Sequence, residues 1–433
     1  MPATLIALGV YGWACVDDPD LSDTGDDGKA GDTGGPDSGG EDTTAASTGG
    51  PTSAGSASTT GGSADVTARD VLESIALRVI VPTTASFQST TGELRDVVAQ
   101  YAAAVDENHL AAGVELAAAQ DAWQAAMGVW QRLEVMQIGP AAPASSAIAG
   151  GNMRDEIYSW PTVDTCSVDR RLVAEDYENP DFFVTQLVMA YGLDALEYLL
   201  FVHDQNHTCP PQVQLDGPWT SLGFEEIERR RGAYALRLAQ GLLQQAETLA
   251  TRWSPDGDDF AGLLANPGSD SPFGSEMVAL DDVFRAMFYV DKQTKDAKLG
   301  RPLGIQPGCA SAPCPNMFES PFGSYSALAI AENFEALRLL IWGGDDPGSS
   351  AGFDDLLINA DQLALANDLL GKIDVAISRA RAFEQPLQQA VISSPGEVDA
   401  FYDAVKDVTD ILKGPFVMTL MLTIPAEGAG DVD

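Results

Sequence analysis

Beyond residue 66 the chain alternates between long stretches with apolar residues three and four apart and loops rich in Pro and Gly. "SIALRVIVP" reads as a helix ending at Pro82, "ELRDVVAQYAAAVDENHL" as a second, and the run from about Val114 to Ile138 as a third that stops at Gly139-Pro140. Five further helical stretches begin at "IERRRGAYALRLAQ", "MVALDDVFRAMFYVDKQTKDAKL", "SYSALAIAENFEALRLLIW", "FDDLLINADQLALANDLLGKIDVAISRARAF" and "GEVDAFYDAVKDVTDILKG". Strand signals are few, so the pattern predicts an all-α protein built from helical bundles. The loops around 140–165, 204–220 and 300–322 are long enough to be more than connectors.

Two places break the expected division between apolar and polar faces. Asn179 and Pro180 are a good N-cap and first residue, so the spacing predicts one helix from Pro180 to about His203, about 36 Å long. Its apolar residues point in almost every direction, which predicts burial. Asp194 and Glu197 nevertheless sit three apart on one face, in a stripe with Gln186 and Ala190 that alternatively reads as the helix's wet side. In "AWQAAMGVWQRLEVMQIGP", Trp123, Met127, Trp130 and Glu134 step by four, three and four, so Glu134 points toward the core. A buried carboxylate needs an arginine, hydrogen-bond donors or a cation. Arg132, Arg154, Arg170 and Arg171 are the candidate arginines. Glu335 shares a stripe with Leu328, Ala331, Leu339 and Trp342, an echo of Glu134.

The first 66 residues differ in kind. Ala3 to Ala14 is an apolar run too short to anchor across a bilayer, followed by Cys15, and it reads as an export signal. Gly12-Trp13-Ala14-Cys15 resembles a loose bacterial lipobox, which would make Cys15 a lipidated first residue; an ordinary signal peptide is the alternative. Residues 16–66 hold eleven acids and one lysine among Gly, Ser, Thr and Ala, a composition that cannot offset its ordering entropy and predicts a disordered tether. The folded part is expected over 67–433, with one bundle over about 67–253 and a second over about 254–433.

Charge and cysteines narrow the function. With 64 acidic against 24 basic residues and a formal charge of -40, nucleic acid and anionic lipid surfaces are poor partners, and contact with a membrane is expected only through a lipid anchor. Cys166, Cys209, Cys309 and Cys314 form an even set in an exported chain, so disulfides are expected. The short "CASAPC" loop favours Cys309 with Cys314, which leaves Cys166 with Cys209. No second CxxC pair or neighbouring histidine supports zinc there. His109 sits in a polar helix end, and His203 and His207 fall where a helix frays. No GxSxG, P-loop or GxGxxG signature occurs.

The order "WQAAMGVWQRLEVMQIGP", "YSWPTVDTCSVD", "GLDALEYLLF", "KLGRPLGI", "ESPFGSYSALAIAENFEAL" and "LTIPAEGAGDVD" resembles the imelysin family, the insulin-cleaving metalloproteinases and iron-regulated envelope proteins. The resemblance implies two bundles related by an approximate internal repeat, a cell-envelope location and a link to iron acquisition, with envelope iron-uptake components as partners. It also implies a GxHxxE signature. Gly192 and Glu197 match it, while Asp194 stands at the histidine, and Glu134 resembles the family's upstream glutamate. Aspartate for imidazole shifts a site from zinc toward harder divalent cations or ferric iron. Glu134, Asp194 and Glu197 are therefore the candidate metal ligands, and no catalytic residue is assigned. The expected function is a cation- or ligand-binding envelope protein. A metallopeptidase is the first alternative and a surface scaffold without a small ligand the second.

Overall fold

The computed structural model describes residues 65–426, so the export signal, Cys15 and nearly all of the tether lie outside the described residues. Every regular element among them is helical. The long helices are α1 (Ala68–Ser74), α2 (Val81–Asn108), α3 (Gly113–Glu134), α4 (Leu193–Phe201), α5 (Phe224–Trp253), α6 (Glu276–Met287), α7 (Ser326–Trp342), α8 (Leu363–Arg381) and α9 (Pro395–Ile411). No helix among the described residues is long and apolar enough to cross a membrane.

The all-helical expectation holds, but two helices depart from it. Pro82 ends nothing. Residues Ile75–Ile80 form a π-helical turn whose wider ring brings the Val81 N–H to the Ala76 carbonyl, and α2 continues straight through Pro82. Proline leaves the carbonyl four residues back, that of Arg78, without its helical donor; the Thr83 hydroxyl donates to the next carbonyl, Val79, at 2.6 Å.

The expected helix from Pro180 to His203 is broken instead into a short helix at Phe182–Thr185, a 3-10 turn at Val188–Ala190, and α4. Leu187 and Tyr191 are extended, and Gly192 takes φ +98° at the start of α4. Val184 and Leu187, which the helical reading buries, are 87% and 65% exposed. The break is held by tertiary contacts: Phe182 packs edge-on against Tyr191 and Tyr234, and the Tyr234 hydroxyl donates to the Ala190 carbonyl.

In the first half α2 packs along α5 and α3, and α4 lies between α3 and α5. In the second half α7 packs on α8, and α8 on α9. The halves meet where α3 packs against α7, and the described residues fall in one compact unit. Both expected disulfides are present, Cys166–Cys209 and Cys309–Cys314. The first ties the loop after α4 to the helix at Thr165–Ala174, bracing one end of α4.

Candidate functional site

Gly192 opens α4 because its φ is one that side chains rarely adopt, and a Cβ there would stand 2.9 Å from the Ile157 carbonyl. The turn sends Asp194 and Glu197 inward, where they are 3% and 2% exposed, so they are not the wet side of a helix. Asp194 accepts the Ser159 hydroxyl at 2.6 Å and its neighbour Ala195 N–H at 3.0 Å. Glu197 accepts the backbone N–H groups of Phe322 and Gly323, at 2.9 and 2.7 Å, on one oxygen. Burial pushes the Asp194 carboxyl up to about 6 against the pull of these donors. It pushes Glu197 up to about 8, helped by the charges of Asp194 and Glu319.

Glu134 is fully buried, as its spacing predicts, at the last turn of α3. Arg154 takes it in a two-pronged contact, Nε to Oε1 at 3.1 Å and Nη2 to Oε2 at 3.3 Å, and also donates to the Trp160 carbonyl. The expected three-acid shell therefore does not assemble: Glu134 goes to an arginine, Asp194 to a hydroxyl and Glu197 to a loop backbone. Among the described residues no three His, Cys, Asp or Glu side chains are grouped to hold a metal. Glu335, the echo of Glu134, is likewise met by arginines, Arg338 and Arg381.

Behind these acids lies a polar centre absent from the sequence reading. Glu319 accepts the Tyr158 hydroxyl at 2.8 Å and the Gln131 amide at 3.0 Å on one oxygen, and pairs with Lys298 at 2.9 Å through the other. Lys298 also donates to Gln131 and Asn333. Desolvation holds its ammonium below the usual lysine range, against the pull of Glu319. This centre joins α3, α7 and the π-helical segment Val290–Gly300, fastening the two halves. Its signal was present in "KLGRPLGI" and "ESPFGSYS", but a π turn shifts which residues share a face, so periodicity could not aim Lys298 inward.

The histidines are engaged separately. His203 Nδ1 lies 2.6 Å from Glu228, His207 Nε2 lies 2.9 Å from Asp216, and His109 packs on the edge of Phe224.

Beside the Glu134–Arg154 pair opens a cavity of about 300 Å³. Glu134, Arg154, Trp160 and Gln137 form part of its wall, and Arg285, Phe288, Tyr289, Lys292 and Gln293 another. The latter five fall at helical intervals along one face of α6 and its π-helical continuation. Asp194 and Glu197 do not line it. The Tyr289 hydroxyl is buried and stands toward Glu134 without closing a well-formed hydrogen bond.

The family profile of imelysin matches residues 80–413, most of the sequence. The chain belongs to the imelysin family. Among solved structures it resembles a protein described as an iron-regulated protein A precursor from Parabacteroides distasonis. The two are 17% identical, with a TM-score of 0.63, covering 83% of this chain and 97% of the other. It also resembles an imelysin-like protein from Psychrobacter arcticum 273-4, again at 17% identity, with a TM-score of 0.62 and 83% and 98% coverage. At that identity the likeness is one of fold. No curated relative matches the sequence. Within this imelysin chain Gly192, Asp194 and Glu197 all serve contacts inside the protein.

Proposed function

We propose that this imelysin-family chain is an exported cell-envelope binding protein, tied to iron or nutrient uptake, whose ligand enters the cavity beside Glu134 and Arg154. The carrying observation is that cavity: it is large enough for a small molecule and is walled by charged, amide and aromatic side chains. The iron-regulated precursor it resembles supports export and the iron link. Peptide cleavage is disfavoured because Asp194 and Glu197 are buried away from the cavity and already hold Ser159 and the Phe322–Gly323 backbone. A cation bridging Glu134, Asp194 and Glu197 would first have to displace Arg154.

Ligand-observed NMR tests this reading on the full chain. The probes are amino acids, sugars, amines, organic acids, and salts of ferric iron, calcium, manganese and zinc. The expected result is binding by at least one class that is lost in Gln293→Trp, whose ring would fill the cavity. Binding by no class, or binding indifferent to that block, overturns the proposal.

The envelope location rests on the apolar run before Cys15. Lipidation of Cys15 predicts that Cys15→Ser moves the protein from the membrane to the soluble envelope fraction. Unchanged membrane association would refute the anchor.

A further inference from the structure

We propose that His203 and His207 form a protonation-dependent clasp, which fastens the segment after α4 when His203 is charged and His207 is neutral. The two rings lie four residues apart in that segment and meet opposite sets of partners. His203 Nδ1 lies 2.6 Å from Glu228 Oε2 on α5, and its Nε2 lies 3.0 Å from the Leu200 carbonyl in the last turn of α4. A carbonyl only accepts hydrogen bonds, and so does an ionised carboxylate. Meeting both therefore takes a proton on each ring nitrogen, the imidazolium form. His207 is arranged the other way. Its Nδ1 accepts the Cys209 N–H at 3.2 Å, which requires a bare nitrogen, while its Nε2 donates to Asp216 at 2.9 Å. The neutral ring protonated on Nε2 satisfies both contacts, and a second proton would break the first.

The surroundings leave these two rings as the fastenings that change with pH in the histidine range. Behind Glu228, Arg231 Nε lies 3.5 Å from the other carboxylate oxygen, and Tyr101 of α2 feels the charge of both. From α3 the uncharged Gln120 amide also donates to the Leu200 carbonyl, at 2.8 Å. Asp204, next to His203 in the chain, accepts from Asn206. Around His207 stand the Trp219 ring and Asp169, which takes the Thr208 N–H and hydroxyl at 2.7 and 2.8 Å. The Cys166–Cys209 bond fixes the far end of the segment. Raising the pH removes the extra His203 proton and turns a lone pair toward an acceptor, so that fastening holds at low pH and is lost as pH rises. The His207 fastening has the opposite sign: it holds at high pH and is lost as pH falls.

The sequence contains three histidines, so ring-nitrogen NMR of the full chain labelled in histidine can follow each one. The expected result near pH 7 is a proton on both ring nitrogens of His203 and on Nε2 alone of His207. Amide exchange over residues 202–209, corrected for its intrinsic pH dependence, should quicken above neutrality. The rise should be up to about tenfold per pH unit while the closed form alone keeps the proton. His203→Gln should abolish that rise, and His207→Gln the matching rise on the acid side. A single ring proton on His203 near pH 7, or two on His207, overturns the clasp. So does an alkaline rise in exchange that survives His203→Gln. The ring protons are read in the parent chain, so a variant that fails to fold leaves that test standing.

Discussion

Lys298→Met is expected to lower the unfolding free energy by about 3–5 kcal/mol, the usual cost of leaving one partner of a buried ion pair alone. Lys298 is 1% exposed, and its ammonium is the only cation directly bonded to Glu319 among the described residues. Removing it leaves a carboxylate facing the Gln131 amide and the Tyr158 hydroxyl, with no positive charge to balance it in a dry centre. Glu319 would then take a proton or draw in water, and the junction between α3, α7 and the Val290–Gly300 segment would loosen. Adding Glu319→Gln to Lys298→Met should recover most of the loss, because a neutral amide keeps an acceptor for Tyr158 without the stranded charge. Urea unfolding of the parent, both single variants and the double closes the cycle. A loss below about 1 kcal/mol in Lys298→Met, or a double variant no more stable than that single, would show that the pair does not fasten the two halves.

The second large effect is a pH dependence centred on Glu197. Its carboxyl is raised by burial from an ordinary value of 4.5 to about 8, while the Gly323 and Phe322 N–H groups pull the other way. Below pH 4.5 the folded and unfolded forms both hold the proton, and Glu197 adds no pH dependence. Between 4.5 and 8 the folded protein keeps a proton that the unfolded chain releases, so stability falls as pH rises; above 8 it levels off. The whole fall from this one group is about 4–5 kcal/mol. Asp194, raised from 3.8 to about 6, adds its own fall in the lower window between those values. In Glu197→Gln the amide carbonyl can accept both N–H bonds, since both end on one oxygen. That variant should match the parent near pH 4.5 and be the more stable of the two at pH 8.5, by up to several kcal/mol. Denaturant midpoints of the two proteins across pH 6 to 8.5 provide the comparison. Parallel curves would mean that Glu197 is already ionised in the folded state.

Much of the candidate site was legible in part. The four-three-four stepping of Trp123, Met127, Trp130 and Glu134 aims the glutamate inward, and it is fully buried. Arg154 was among four arginines that could meet such an acid, and only the fold selects it, because the left-handed Asn152 and the short helix at Met153–Ile157 bring it back to the end of α3. Asp194 and Glu197 were legible as a signature and as misplaced charge. Their partners were not. Ser159 lies 35 residues from Asp194, and Gly323 lies 126 residues from Glu197.

What the sequence by itself determined follows from short-range rules. Apolar spacing set the helical class, the even cysteine set and the short "CASAPC" loop set the disulfide pairing, and the ordered segments set the family. Tertiary structure decided the rest, because those outcomes depend on contacts made across the chain. Aromatic packing of Phe182 on Tyr191 and Tyr234 outweighed the helical propensity of 180–203, since one interrupted helix costs less than leaving those rings in water. The π turns at Ile75–Ile80 and Val290–Gly300 shifted the faces that a regular helix would present. Desolvation then chose the partner of each acid: a carboxylate in a dry interior takes whatever donor the folded backbone brings within 3 Å, and that choice exists only once the helices are packed.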